Sequence, residues 1–573
     1  MLSRDEGPKE RLFINIFVAL LFAWFAAAII FKAVHQPLSY DDSYNATVAS
    51  NFAAGYGWVT DYNQLIPFNS TVTTGPALLL PAAAMVKVFG LQLWVPSVTN
   101  ALLMLVVLVF CGALLREFSH SSKSFLCAAA LSLLCLAVYD LNIWTQLVGD
   151  GFSAIALVAA IFFLARPSAK GPSPFSLLAA GFFFAAAILS KMYAVIAVLG
   201  VAFAVCAQEA IDYARGGRTA IRTSKSIGVV LIGGLLLLAP WQLYKMGVLG
   251  GLPESLQVKR AIFSEMFFRE FGSGIEELEQ ADALLAHFLA MSRKNFSGLL
   301  SYFQLSEWWG GAFALMMVTL PFLVGGCLLF WRPRNAALRA ELFLAAGASA
   351  HWFWYIFISA GGPRYVRISI VLSCILFACL LARRLNMFFL AALLGIGITL
   401  LPPSKQDNLV SLLRFNNDSA QTLSAQARFA QAAITTAGVD EPLAGCSWVV
   451  SRLVDYAAPA NGGLVDVVLL MRKALEQQNY SAQLAAMPAE AQAGLPIVLQ
   501  HPIKVRLPMH LGEWAYAKRL MLCPIADYLE SVCRQSVFED GYYVIKTCTI
   551  SSLPADVAST VLATDPLHLS GSL

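Results

Sequence analysis

The sequence predicts an all-helical polytopic membrane protein that carries a folded α/β or α+β domain outside the membrane at its carboxyl end. Three observations lead there. Of 573 residues, 58% are hydrophobic and 13% charged, with a mean hydropathy of +0.67, and the apolar runs approach the roughly 20 residues that cross a hydrocarbon core. Lysine and arginine gather at every second exit of those runs. Beyond Pro402 the apolar runs shorten and alternate with stretches rich in Ala and Gln, as in a domain with its own small core.

About eleven spans are predicted, at 12–31, 93–115, 125–138, 147–165, 175–189, 192–207, 227–241, 311–331, 342–359, 366–382 and 387–401. The first is long and has no small-residue cleavage site before Asp41, so it reads as a retained span rather than a signal peptide. Arg4, Lys9 and Arg11 precede it. Arg116 and Lys123, Arg166 and Lys170, Arg215 to Lys225, Arg332 to Arg339, and Arg383 with Arg384 follow the even-numbered spans. Positive loops stay in the cytoplasm, which puts the amino terminus inside. The same rule divides 175–207 into two helices meeting at Lys191. It also lays 76–89, which is short and contains Pro81 and Lys87, along the outer surface.

A membrane module at 1–402 and an exterior domain at 403–573 follow. The outer face receives the loop 34–92, the turn 139–150, the loop 245–310 and the tail. Within the tail, Trp448-Val-Val, Leu464-Val-Asp-Val-Val-Leu-Leu and Pro496-Ile-Val-Leu are short apolar runs between helix-like stretches. Cys446, Cys523, Cys533 and Cys548 suggest two disulfides with three open pairings. A zinc site is the rival, without a Cys-x-x-Cys spacing to support it. No nucleotide-binding glycine motif and no basic stripe with interleaved aromatics occurs, which removes nucleic acid as a partner.

The chemistry-bearing residues collect on the outer side. After Ser39, the residues Tyr44, Val48 and Phe52 recur at helical spacing and Gly55 with Gly57 ends the run. Asp41 and Asp42 then occupy a helical first turn, where the dipole favours their ionised form; the plain alternative is capping. Asp150, in Val148-Gly-Asp-Gly-Phe152, stands at the outer end of the fourth span, again as a functional acid or a cap. Lys191 stands at an outer helix junction, as a functional cation or a snorkelling one. Arg364, Tyr365 and Arg367 follow Gly361-Gly-Pro, and outer arginines run against the positive-inside bias. Lys259 and Arg260 read as a solvated face. His35 reads as structural, the sequons at Asn45, Asn69, Asn295, Asn417 and Asn479 carry no weight, and no metal-ligand spacing is present. Acids suit a general base acting on an alcohol, and cations suit a phosphate leaving group.

These residues resemble the membrane-embedded glycosyltransferases of the C-type (GT-C) fold. Asp41-Asp-Ser-Tyr-Asn-Ala-Thr-Val-Ala-Ser-Asn-Phe-Ala-Ala-Gly-Tyr-Gly-Trp58 is similar to their acidic motif after the first span. Thr74-Gly-Pro through Gly90 is similar to their juxtamembrane helix, Ala187-Ile-Leu-Ser-Lys-Met-Tyr193 to the turn between two spans, and Gly362-Pro-Arg-Tyr365 to the start of a late span. The Asp-Asp-x-Tyr version with Gly-x-Gly looks closest to polyprenyl-phosphate arabinofuranosyltransferases; protein O-mannosyltransferases and lipid A aminoarabinose transferases are similar in outline. The resemblance implies an inverting transferase of the bacterial plasma membrane, active on its periplasmic or exterior face. Its donor would be a polyprenyl-phosphate sugar and its acceptor a hydroxyl of a glycan, lipid or protein. It implies Asp41 as catalytic base. Asp42, Tyr44 and Asp150 would bind or orient the sugar, a divalent metal being left open. Lys191, Arg364 and Tyr365 would meet the lipid phosphate. A polysaccharide polymerase or ligase is the nearest rival. A transporter, which would show repeated halves, is the other.

Overall fold

The computed structural model describes residues 8–59, 74–119, 121–139, 142–166, 173–214, 220–248, 289–290, 292–299, 308–331, 335–359, 363–384, 420–438, 441–446, 453–454, 456, 464–480, 496–519 and 523–563. The chain forms two compact units. The first comprises Met1–Ala33, Thr73–Leu78 and Asn100–Asn416; the second comprises Val34–Val72, Leu79–Thr99 and Asn417–Leu573.

Helices run in the order α1 (Pro8–Val34), α2 (Tyr40–Ala53), α3 (Pro76–Phe89), α4 (Val95–Phe118), α5 (Ser122–Tyr139), α6 (Asn142–Thr145), α7 (Asp150–Ala165), α8 (Pro174–Ser190), α9 (Ala194–Ala214), α10 (Ala220–Val248), α11 (Trp308–Trp331) and α12 (Ala336–Phe357). A 3₁₀ turn at Pro363–Val366 leads into α13 (Arg367–Arg384). The first ten predicted spans each coincide with one of these helices; the eleventh, 387–401, lies outside the described residues, as do Lys259 and Arg260. Among the described residues four helices are long and apolar enough to cross a membrane, and six further apolar helices are shorter. Large apolar side chains such as Leu12, Phe13, Leu20, Leu231 and Leu235 are more than half exposed, a surface that lipid rather than water accommodates. The chain is an integral membrane protein.

The core of the first unit is α7. All of its residues but Leu164 are buried, and α8, α9, α12 and α13 pack around it. Small residues permit this closeness. A Cβ at Gly151 would overlap the carbonyl oxygen of Ile143, and one at Gly181 in α8 would overlap that of Val230 in α10. Such contacts are how membrane helices associate without a hydrophobic driving force between them. Two asparagines tie helix ends to neighbouring backbone. Asn100 Nδ2 donates to the carbonyls of Ile143 and Trp144 at 3.2 and 2.9 Å. Asn295 Nδ2 donates to those of Tyr355 and Ser359 at 2.8 and 2.9 Å, closing the last turn of α12. Asn295 is fully buried and Asn45 nearly so, so neither sequon is a glycosylation site in this fold.

The second unit contains α14 (Ala420–Thr436), β1 (Ala444–Gly445), β2 (Val465–Asp466), α15 (Val467–Gln477), β3 (Ile497–His510), α16 (Leu511–Arg519), α17 (Ala526–Val532), β4 (Gln535–Glu539), β5 (Tyr543–Leu553) and α18 (Ala555–Ala563). β5 is central in an antiparallel sheet of order β3-β5-β4, and β1 pairs with β2 in parallel. Phe429 of α14 stacks on Tyr543 of β5 with centroids 4.6 Å apart. Of the apolar run 464–470, only Val465–Asp466 is strand. Asp466 caps a helix, accepting from Val468 N and Leu469 N at 2.8 and 3.2 Å, and that cap ends the strand after two residues. Trp448-Val-Val lies outside the described residues. The four tail cysteines form the bridges Cys446–Cys523 and Cys533–Cys548, so the zinc alternative falls.

Candidate active site

Three loops of the first unit meet at one end of α7. They are Thr74-Gly75 ahead of α3, Val148-Gly149 ahead of α7, and Ser190-Lys191 after α8. Lys191 leaves the helix because its backbone is extended (φ −147°, ψ 112°), while its N–H still reaches Ala187 O at 2.9 Å. Thr74 and Lys191 pair as an isolated antiparallel bridge. Gly75 N donates to Ser190 O at 3.3 Å, Thr74 Oγ1 to Val148 O at 3.2 Å, and Ser190 Oγ to Gly149 O at 3.0 Å. Glycine is required twice. Gly149 has φ +84°, a conformation that costs L-residues energy, and a Cβ there would stand 2.6 Å from Ser190 O. A Cβ on Gly75 would overlap the Leu189 carbonyl.

The stitched loops place Asp150 inside a set of cations and aromatics. Gly149 occupies the cap position of α7 without a side-chain bond, and Asp150 is the first helical residue, fully buried. Its carboxylate therefore does not cap the helix. Lys191 Nζ is 3.6 Å from Oδ1, Arg367 Nη1 is 3.3 Å from Oδ2, and the Tyr193 hydroxyl donates to Oδ1 in a short hydrogen bond. Arg367 Nη2 also donates to Gln146 Oε1 at 3.0 Å, and Lys191 Nζ to Thr74 Oγ1 at 3.4 Å. Tyr193 stacks on Trp354 and meets the edge of Tyr365, each at 5.4 Å. His351, bonded through Nδ1 to Ser369 Oγ at 2.6 Å, closes the aromatic wall 5.7 Å from Tyr193.

Charge decides what this cluster can do. Lys191 and Arg367 side chains are 5% and 10% exposed and Asp150 is 0% exposed, so neither cation snorkels to water. One carboxylate faces two cations. Ion pairs this deep carry a desolvation penalty, and an anionic ligand would offset part of it. The amino termini of α7 and α13 at Asp150 and Arg367 add backbone N–H groups, which also favour an anion.

The expected site residues divide between the two units. Asp150, Lys191 and Tyr365 come together in the first. Arg364 lies in the 3₁₀ turn Pro363–Val366, and its side chain is outside the described residues. Arg367, one helical turn beyond Arg364, is the arginine on Asp150. Tyr193, Gln146 and Thr74 complete the set. The sequence signal for three of these was present but unweighted: Arg367 shares the outer arginine cluster, and Tyr193 and Thr74 lie inside the motif stretches.

In the second unit, Asp41, Asp42 and Tyr44 lie on α2. Ser39 is its cap, and Asp42 turns back on it: Ser39 N and Ser39 Oγ donate to Asp42 Oδ2 at 3.0 and 2.7 Å, while Asp42 N donates to Ser39 Oγ at 3.3 Å. This is a capping box. Asp42 is buried at 0% exposure, and Asp41 is half-buried beside it. Residues 42–51 are buried on all faces although six of the ten are polar, and side chains bond locally: Thr47 Oγ1 to Ser43 O at 2.9 Å and Asn51 Nδ2 to Val59 O at 3.0 Å. Phe52, expected on the apolar stripe, is 37% exposed and rests edge-on against Trp58. The tail fixes the entry to the helix. Leu38 N donates to Gln426 Oε1 at 2.9 Å, and Gln426 Nε2 to Leu38 O at 2.8 Å.

No protein-family model matches this chain, and no curated protein matches it by sequence. Solved structures do match in shape. ArnT from Cupriavidus metallidurans bound to undecaprenyl phosphate aligns over 92% of this chain and 97% of that one, with a TM-score of 0.54 and 12% identity. The apo state of the same protein aligns over 96% and 99%, with a TM-score of 0.52 and 14% identity. The fold is GT-C. Identity this low establishes architecture and nothing finer, so chemistry must be argued from the GT-C chain's own residues. A metal finds little support among them. The described residues contain no group of three or more His, Cys, Asp or Glu that could hold one, and both Asp150 oxygens already face cations.

Proposed function

We propose that this protein is an inverting glycosyltransferase that moves a sugar from a polyprenyl-phosphate donor to an acceptor hydroxyl on the periplasmic or exterior membrane face. The observation that carries the reading is the buried cluster of two cations on one carboxylate, Lys191 and Arg367 on Asp150. Its two buried cations suit a departing lipid phosphate. The fold shared with a protein bound to undecaprenyl phosphate supports the same donor class. Lys191 and Arg367, with Arg364 beside them in sequence, neutralise the phosphate. Asp150 holds the two cations in place, Tyr365 walls the site, and Asp41 takes the acceptor proton. Asp42, engaged with Ser39, holds the helix start on which Asp41 sits, and Tyr44 supports that helix from its buried face. Arabinofuranose as donor sugar rests on the Asp41-Asp42-x-Tyr44 version of the motif.

The test is donor binding by purified protein in lipid nanodiscs. Lys191→Met and Arg367→Met should each weaken binding of a polyprenyl-phosphate sugar by roughly 10- to 150-fold, the worth of one charge-assisted contact. Transfer of arabinofuranose to an envelope glycan by the wild type should be seen by mass spectrometry. Unchanged donor affinity in both variants would remove the cluster from the reaction.

A further inference from the structure

The first unit has a second concave feature, further along α7 than Asp150. A cavity of about 400 Å³ lies between α1, α4, α5, α7 and α13. Its wall on α7 runs from Ile155 to Phe162, which are about 7.5 and 18 Å from Asp150 along the helix. Small side chains, Gly112 and Ala129 among them, open the space, and the lining is apolar apart from Asn15, Arg116 and Ser132. An apolar space of this size does not recruit water. In a surface that faces lipid, it is filled from the bilayer.

The polar groups say which lipid. Of the basic side chains near this end of the bundle, Lys123 pairs with Glu10 at 2.8 Å and Arg166 with Glu117. Arg116 bonds to the Ser122 hydroxyl at 2.9 Å and lies 5.5 Å from the Phe125 ring centroid, with no carboxylate in ion-pair range among the described residues. Ser132 is 6% exposed, and its hydroxyl has no hydrogen-bond partner among the described residues. A cation beside apolar walls matches a phosphate and an acyl chain. A polyprenyl phosphate would place its phosphate with the cations on Asp150.

We propose that this cavity binds an anionic glycerophospholipid from the adjoining leaflet, with an acyl chain in the cavity and the phosphate on Arg116. Basic pockets between transmembrane helices commonly select anionic headgroups. The site is independent of the transfer reaction, and its test does not read activity.

The full chain would be reconstituted in nanodiscs containing a phospholipid with a diazirine in its acyl chain, with phosphatidylglycerol and phosphatidylcholine headgroups in separate arms. Crosslinks from the phosphatidylglycerol probe should concentrate on peptides around Gly112 and Ser132, at least about fivefold over phosphatidylcholine, a difference of about 1 kcal/mol. A Cβ on Gly112 would meet nothing within 4 Å, so Gly112→Leu fills the space and should cut that labelling about tenfold while the thermal transition stays in place. Should Gly112→Leu misfold, Arg116→Gln still decides: it should bring phosphatidylglycerol labelling down to the phosphatidylcholine level. Equal labelling by both headgroups overturns the proposal. So does labelling insensitive to both substitutions, or displacement of the probe by excess undecaprenyl phosphate.

Discussion

Two helices of this protein begin with an acid in the first turn, and their carboxylates meet opposite fates. On α2, Asp42 bonds back to Ser39, three residues away. On α7, Asp150 ignores its own helix start and engages Lys191 and Arg367, 41 and 217 residues away by sequence position. The difference lies in the preceding residue. Ser39 supplies a side chain that closes a reciprocal pair; Gly149 supplies none, but its left-handed backbone lets Ser190 approach and brings the next loop to Asp150. Both acids are fully buried; the one with a capping partner beside it bonds to its own helix start, whereas the one preceded by glycine is met by charges from elsewhere in the fold.

The largest effect should come from the acid that neither pattern accounts for. Asp41→Asn keeps the size and the helix preference of the residue, so a structural role predicts little change. As the general base it should lower sugar transfer by about 10²- to 10⁴-fold, measured on protein of verified folding with purified lipid donor. Near-normal turnover would return Asp41 to the same class as Asp42.

Asp150→Asn tests the other half of the comparison through stability. It leaves two buried cations facing a neutral amide, and breaking a buried pair this way costs about 3–5 kcal/mol. Unfolding in detergent should show that loss, and Lys191→Met in the same chain should restore part of it. Additive losses would mean that Asp150 and Lys191 do not act as a pair.

Gly75→Ala probes the stitching of the loops. The added methyl overlaps the Leu189 carbonyl, and strain of this kind costs about 1–3 kcal/mol. Gly112→Ala is the matched control: it meets nothing within 4 Å and should be neutral or up to about 1 kcal/mol stabilising in a helix. Equal melting temperatures for the two variants would show that the Thr74-Gly75 contact carries no load.

The smallest effect belongs to Asp42→Asn. It weakens the capping box but keeps an acceptor, so a loss of a few tenths to about 1 kcal/mol is expected, with turnover reduced far less than in Asp41→Asn. A rate loss matching Asp41→Asn would break the distinction between the two acids and assign Asp42 to the chemistry.

The sequence by itself determined the membrane class, the helix at each of the first ten spans and the turn at Lys191. Hydropathy, charge placement and capping act over one or two turns, so they are written locally. It also placed Asp41 and Asp42 in a helical first turn, because Ser39 and the Gly55 and Gly57 stops bound that helix. It could not say that Asp42 serves Ser39 while Asp150 serves Lys191, nor that Arg367 rather than a nearer residue completes the Asp150 cluster. It showed 464–470 as an apolar run without showing that Asp466 divides it between a strand and a helix. Those outcomes were decided by tertiary structure, for one physical reason. A buried charge must find its partner through space, and which side chain stands 3 to 4 Å away depends on how helices hundreds of residues apart pack, with Gly75, Gly149 and Gly151 setting how close they come.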